Sequence, residues 1–526
     1  MRTFSRRLIA LSVALPMALA AQASAPATPA APPPGFDSYV QKVLAAFQVP
    51  GVAVAIVKDG RVVLAKGYGV RTLGKPEQVD SLTRFGIASN TKAFTATALA
   101  ILVERGKLKW DEPVRTYLKD FAMYDPFVTR EITVRDLLVH RSGLGLGAGD
   151  LLWWPASTYT RAEIAQRLRY IKPATSFRSA YAYDNVLYLV AGQLIEKISG
   201  QSWETFMSTE LLNPLGMSHS SVRHADAASG GNVATTHAEV DGTVVAVPPM
   251  TSDNTNPAGG INAGAADIAR WMITQLDSGR TPEGKRLWSP ASARELWTGV
   301  TPMPIGGSVP ALAPLRPSFN LYGLGFGVRD YRGVKMLSHT GGLPGYVSEI
   351  LMLPDQKIGV AVFTNQESSA AFRSITLAVL DHYLGVKPAW DWLGAYTTLA
   401  AQQRTELASA TTKETARDTT VRPTLPLPKY AGTYSDVWYG DVTVGSANGQ
   451  LTMRFSHTPE LTGVLEHQKG DAFIVRWKDR SLRADAVVTF DVKAGAVTRV
   501  RMVPTPGVDF SFDFQDLDLR PKRGGK

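Results

Sequence analysis

The sequence predicts an α/β fold. One antiparallel sheet, flanked by helices, is assembled from strands near both ends of a long segment; a helical domain lies between them, and a small all-β domain follows. Three observations carry this reading. Val52–Lys58 and Arg61–Gly67 are apolar runs separated by Asp59-Gly60, which is a hairpin signal. Comparable runs return at Tyr322–Val328, Lys335–Ser338, Tyr346–Leu353 and Ile358–Thr364, after a stretch patterned at helical spacing, so one sheet joins segments remote in the chain. From Lys429 to Leu519 the pattern changes to short alternating runs broken by turns such as Ala447-Asn448-Gly449, as in a barrel or sandwich.

Taken in order, the chain opens with Arg2, Arg6 and Arg7 before the apolar run Leu8–Ala20 and small residues through Ala25. This reads as a secretory signal peptide over residues 1–23, cut after Ala23, and too short for a membrane span. It places the mature protein in the periplasm or outside the cell. Loss of those three arginines takes the net charge from +10 to +7. A Pro/Ala-rich leader follows over residues 24–35 and cannot form helix or sheet. Residues 36–388 form the main domain. In it a helix is expected at Phe36–Phe47, then the hairpin, a helix after Gly86, a helical region to about residue 210, long helices at Val186–Ser199 and Ala263–Leu276, the later strands, and a helix at Ala371–Leu384. Residues 389–428 read as a helical linker, polar over 390–416 and proline-rich from Arg417 to Pro428. Residues 429–520 form the β domain, with strands expected at Val442–Val444, Gln450–Phe455, Ala472–Trp477, Ala486–Phe490, Val497–Met502 and Phe510–Phe514.

Composition excludes several classes. With 44% apolar and 19% charged residues the chain is an ordinary globular protein. Basic residues are scattered except for the tail Arg520, Lys522, Arg523 and Lys526, so no nucleic-acid surface is expected. No later segment is long and apolar enough for stable membrane insertion. Cysteine is absent, which removes disulfides and thiolate metal sites. The eight histidines are dispersed, with no His-Glu-x-x-His helix, so neither a metal nor a cofactor is expected.

The chemistry centres on Ser89 and Lys92. They stand one helical turn apart at the start of the apolar helix that follows Gly86, and on a helix such a pair shares a face. A serine hydroxyl becomes a nucleophile when a base takes its proton, and a desolvated lysine is such a base. The helix N-terminus adds free N–H groups near the reacting oxygen. Ser-x-x-Lys alone is a weak signal. Two more motifs strengthen it: Tyr183-Asp184-Asn185, 94 residues after Ser89 at the edge of an apolar helix, and His339-Thr340-Gly341-Gly342, 250 residues after Ser89, closing a strand. A phenol relays protons, an amide holds a carbonyl, and glycines on an edge strand allow close backbone approach.

This trio resembles the signature of the serine β-lactamase and penicillin-binding superfamily, and its Tyr-x-Asn form and spacings are most similar to the class C β-lactamase branch. That branch includes D-alanyl-D-alanine carboxypeptidases, D-aminopeptidases and family VIII esterases. Leu137–Leu144, Pro214–Met217 and Pro257–Asn262 fit it too. The resemblance covers about residues 36–385 and implies a β-lactamase/transpeptidase-like fold; the last ninety or so residues resemble an appended lipocalin-like β-barrel. It also implies roles. Ser89 attacks and is acylated, Lys92 and Tyr183 share the proton, and Asn185 orients substrate. The N–H groups of Ser89 and Gly342 form the oxyanion hole, while His339, Thr340 and Gly341 belong to the edge strand along which substrate lies. His339 stands where most β-lactamases carry Lys, and a neutral imidazole pairs poorly with a substrate carboxylate.

The expected partner is therefore a small-molecule ester, amide or peptide, and a homo-oligomer is left open. A β-lactamase or penicillin-binding carboxypeptidase is the alternative on the same fold, and a non-catalytic binding protein on a hydrolase scaffold is the alternative of another class. Three features are set aside. Ser252-Asp253-Asn254 sits too late for a second motif and reads as turn chemistry. His140 reads as a loop anchor, and Trp153, Trp154 and Tyr124 are weak candidates for a cleft wall.

Overall fold

A computed structural model describes residues 30–522 apart from 230 and 308. The proposed signal peptide, the first part of the leader and the last four residues lie outside the described residues.

The hairpin forms as its sequence requires. β1 (Gly51–Lys58) and β2 (Arg61–Gly69) turn at Asp59-Gly60, both with positive φ. β1 does not end in a local meander but pairs with a strand some 300 residues later, Val52 opposite Thr364 and Lys58 opposite Ile358. The other strands of this sheet are β3 (Thr301–Pro302), β4 (Asn320–Tyr322), β5 (Gly327–Tyr331), β6 (Val334–Leu343), β7 (Tyr346–Leu353) and β8 (Ile358–Thr364). They complete an eight-stranded antiparallel sheet in the order β2-β1-β8-β7-β6-β5-β4-β3.

β1 and β8 are apolar at almost every position because both faces of the sheet are covered. Val52, Val54 and Ile56 pack with Val360, Val362, Phe372 and Leu380 beneath helices α1 (Phe36–Phe47) and, later in the chain, Ser369–Tyr383. The alternate residues Ala53, Ala55 and Val57 join the larger core with Ala361 and Phe363. That core includes α2 (Thr91–Glu104), α3 (Val186–Ser199) and α4 (Ala265–Leu276). The C-terminal helices of the segment are α5 (Ser369–Tyr383) and α6 (Trp392–Glu414).

Two departures near the site matter. Tyr322–Val328 is not one strand: β4 ends at Tyr322, and Gly323–Phe326 turns before β5. Gly325 sits there at φ 80°, and a Cβ on it would lie 2.8 Å from the Lys92 carbonyl oxygen, so the turn is pressed against α2. Conversely, β6 does not stop at Ser338 but runs through His339-Thr340-Gly341-Gly342 to Leu343, paired throughout with β7.

The β domain is a nearly closed eight-stranded antiparallel barrel. Strands Gly432–Asp436, Gly440–Ala447, Gln450–Phe455, Thr462–Lys469, Ala472–Trp477, Ala486–Lys493 and Ala496–Pro504 pair in sequence, and Arg520–Pro521 returns beside the first of them. The Val500 N–H donates to Leu519 O and closes the ring. Gly432–Asp436, Thr462–Lys469 and the short last strand are additional to those expected. Thr462–Lys469 escapes notice because its inward positions include Gly463 and its second half is polar. Phe510–Phe514 is the reverse error. Phe512 and Phe514 are buried, which produces the strand-like alternation, yet Phe512 N–H bonds back to Asp509 O and the segment turns. It leaves the barrel and enters the main domain's cleft. Residues from Pro32 onward form one compact unit.

Candidate active site

Ser89 lies in a single 3-10 turn, Ala88–Asn90, immediately before α2 rather than within its first regular turn. Ala88 holds φ 50°, a left-handed conformation costly for a residue with a Cβ, and so an observed point of backbone strain beside Ser89. α2 is buried from Thr91 through Leu102, which carries Lys92 into the core. There its Nζ donates to Ser89 Oγ at 3.0 Å, Asn185 Oδ1 at 2.7 Å and Ala258 O at 3.1 Å. Burial pushes the Lys92 amine down to about 7, opposed by the charges of Asp150 and Asp184.

Tyr183 and Asn185 arrive on the segment leading into α3. The Tyr183 hydroxyl is buried without a hydrogen bond of good geometry, Ser89 being the side chain that holds its pKa down. Burial outweighs Ser89 and keeps the phenol protonated well above its usual range. The Lys92 Nζ stands 4.9 Å from the centre of the Tyr183 ring. Asn185 has both ends of its amide engaged: Oδ1 accepts from Lys92, and Nδ2 donates to Asp150 Oδ2 at 2.8 Å. Asp150, fully buried, also accepts from Trp153 Nε1 and Ser511 Oγ, and burial raises its carboxyl to about 7.

The edge strand forms the opposite wall. β5 pairs with β6 only as far as Ser338, so among the described residues no strand pairs with 339–343 on that side. A Cβ on Gly341 would fall 2.3 Å from Ile87 O, so without one the strand packs backbone to backbone on the turn that carries Ser89. Gly342 faces open space. His339 Nδ1 is 2.5 Å from Thr340 O, an acceptor only, so Nδ1 carries the proton; Nε2 then accepts from Tyr322 Oη at 2.8 Å. Burial and the nearby Lys92 push this imidazole down to about 3, so it is neutral.

These residues line one cleft of about 420 Å³: Ser89, Tyr183, Asn185, His339, Thr340 and Gly342 face it, with Trp153 and Trp154 on another wall. Its size suits a small ligand. Tyr124 is exposed and is not part of that lining. His140 is a buried anchor whose Nδ1 accepts the Asp184 N–H, its ring 4.3 Å from that of Tyr183. Asp253–Thr255 is a short 3-10 turn outside the cleft lining, with Asn254 donating to Tyr159 O. Among the described residues no cluster of His, Asp and Glu is arranged to hold a metal.

The sequence reading missed what the β domain contributes. Asp513 accepts from Gly149 N (2.7 Å) and Leu151 N (2.9 Å), Ser511 bonds Asp150, and Phe510 packs edge-on to Tyr183 while touching Gly147. Asp509, Phe510 and Ser511 thus line the cleft. No sequence signal marked it: the alternation Phe510-Phe512-Phe514 reads as a strand, and only the tertiary structure buries Asp513 against Gly149 and Leu151.

A serine hydroxyl, a buried amine whose pKa is brought down to about 7, a phenol and a glycine-bearing strand end converge here, and residues 36–384 match the Beta-lactamase family. The chain belongs to the Beta-lactamase family. Residues 416–521 match a domain family of unknown function. An unguisins hydrolase of Aspergillus violaceofuscus is 30% identical over 492 residues, covering 86% of this chain and 84% of that protein. Among solved structures, an octameric penicillin-binding protein homologue from Pyrococcus abyssi superposes with TM-score 0.57 at 23% identity, covering 92% of this chain and 99% of its own. A D-stereospecific amidohydrolase from Streptomyces superposes with TM-score 0.52 at 22% identity, over 65% of this chain and 98% of its own. The β-lactamase/transpeptidase-like fold is therefore as expected, and the chain is a hydrolase of this family.

Proposed function

We propose that this member of the Beta-lactamase family is an exported serine hydrolase that cleaves esters or amide bonds of D-configured peptides through an acyl-enzyme on Ser89. The observation that carries the reading is the 3.0 Å contact of Lys92 Nζ with Ser89 Oγ, in a setting that depresses the amine to about 7. As the free amine, Lys92 takes the Ser89 proton while Oγ bonds to the substrate carbonyl carbon. The oxyanion that forms lies against the N–H groups of Ser89 and Gly342, each such donor typically contributing about 3 kcal/mol. Collapse of that intermediate breaks the ester or amide bond, and Tyr183, held as a phenol, passes a proton to the leaving oxygen or nitrogen, reprotonated in turn by Lys92. Water then repeats the sequence on the acyl-enzyme and restores Ser89. Asn185, held between Lys92 and Asp150, fixes the amine in place. The neutral His339 weighs against β-lactam turnover as the main activity, because that position carries no charge for a β-lactam carboxylate.

Intact-mass detection of acylation, run with short p-nitrophenyl esters, D-alanyl peptides and cephalosporins, tests this. The wild-type chain gains an acyl mass with an ester or a D-peptide, and Ser89→Ala gains none and loses turnover. Undiminished hydrolysis by Ser89→Ala refutes the assignment of the nucleophile.

A further inference from the structure

The end of the cleft away from Ser89 carries a charge that the mechanism above does not use. Arg329 on β5 and Arg373 on α5 both line it, beside Asn320, Gly327 and Ser338. Arg373 is matched by Glu349, 3.5 Å away, a buried carboxylate that also accepts from Thr376 Oγ1. Arg329 has no ion pair of its own among the described residues, and its Nε is buried without a hydrogen bond. The group is largely desolvated and feels the positive charge of Arg373, both of which hold its pKa below the ordinary guanidinium range. Two guanidinium groups thus share one carboxylate, and a desolvated cation left unpaired is costly unless something pairs with it. Among the described residues no other side chain facing the cleft forms an ion pair with Arg329: His339 is neutral with both nitrogens engaged, and Asp509, on the barrel loop beside Phe510, is in no ion pair with either arginine.

We infer that this end of the cleft is an anion subsite, in which Arg329, supported by Arg373, receives a carboxylate carried by the substrate. Guanidinium is the side chain best shaped for bidentate carboxylate binding. The inference deepens the proposed function and rests on it, because it names the substrate class of the same cleft. It also accounts for the histidine at position 339: the cation that the edge strand lacks is supplied farther along the sheet. Arg329 opposes Met336 on β6, four residues before Thr340. At about 3.4 Å per residue this is roughly 14 Å along the strand, shortened by the reach of the arginine side chain. The carboxylate therefore lies on the order of 10 Å from the scissile carbonyl, a separation of about three extended residues.

The test uses p-nitrophenyl monoesters of succinate, adipate and sebacate, each beside its methyl-capped neutral counterpart. Wild-type protein prefers a free acid to its capped form by tenfold or more in kcat/KM, with the preference rising from succinate to a longer acid. Arg329→Gln brings that ratio to near one, and Arg329→Lys retains part of it. Absence of any preference, or an unchanged ratio in Arg329→Gln, overturns the inference while leaving the hydrolase reading intact. Turnover of no ester at all is the failure of the hydrolase reading, and binding then decides the subsite alone. By calorimetry, Ser89→Ala should bind adipate or sebacate at least tenfold more tightly than the corresponding diamide, an advantage lost when Arg329→Gln is added. Equal affinities refute the subsite.

Discussion

The depressed amine of Lys92 makes a prediction that can be worked through in two independent assays. In the unfolded chain its pKa is the ordinary 10.5, and in the fold burial brings it to about 7. Between those values the unfolded state binds more protons than the folded state, so the contribution of this residue to stability rises with pH across that window. Above the upper value the penalty vanishes, and below the lower value it is present in full. At pH 6 the fold carries nearly all of it, and by pH 9 more than half has gone. At about 1.4 kcal/mol per pKa unit the difference is about 3 kcal/mol. Lys92→Met removes the titration. It also strips Asn185 Oδ1 and Ala258 O of a donor, but that cost is the same at both pH values and cancels. Asp150, deprived of a neighbouring ammonium in the variant, resists ionisation more strongly and adds to the difference in the same direction. Urea unfolding of both proteins at pH 6 and pH 9 should therefore show wild type gaining about 3 kcal/mol on Lys92→Met. In the second assay, log kcat/KM of the wild type rises with unit slope below about pH 7 and levels above it. A stability difference that does not move with pH, or a kinetic limb centred above pH 9, refutes the buried-base argument.

Other outcomes follow from the packing. Gly341→Ala forces a Cβ to within 2.3 Å of Ile87 O and 2.6 Å of Ser348 Oγ, so it should lose about 1–3 kcal/mol in urea unfolding and most of its ester hydrolysis. Gly342→Ala meets nothing within 4 Å and should melt within about 2 °C of wild type, any effect appearing in kcat/KM alone. Asp513→Ala orphans the N–H groups of Gly149 and Leu151; at roughly 1–3 kcal/mol per buried donor it should destabilise the chain measurably and expose the 509–514 segment to limited proteolysis. Wild-type protease resistance there would mean that the barrel loop is not held by this contact.

The elements most legible in advance were those whose local pattern and tertiary burial agree. Phe36–Phe47, Val186–Ser199, Gln450–Phe455 and Ala472–Trp477 occur with the bounds expected, each an unambiguous periodic run. Misreadings arose where a distant neighbour overrides local chemistry. Gly341-Gly342 looks like a strand terminator, yet pairing with β7 and close packing on Ile87 keep it extended. Phe510–Phe514 looks like a strand, but buried Asp513 spends its hydrogen bonds on Gly149 and Leu151, more than 350 residues away. Of the residues gathered at the cleft, Ser89, Lys92, Tyr183, Asn185 and the 339–342 strand stand out in the sequence as candidates because each sits in a short motif with a chemical rationale. Asp150, Ser511, Arg329 and Arg373 were not, since a lone carboxylate or guanidinium in a sequence has no mark of what it will face.

The order of residues alone therefore determined which side chains are candidates for reactive chemistry and which stretches bury apolar faces, because hydrophobic period and short-range spacing are local properties. Only the tertiary structure decided the state of that chemistry. Whether an amine rests near 10.5 or near 7, whether an imidazole is charged, and whether a loop of one domain reaches the cleft of another all depend on desolvation and on neighbours brought from hundreds of residues away.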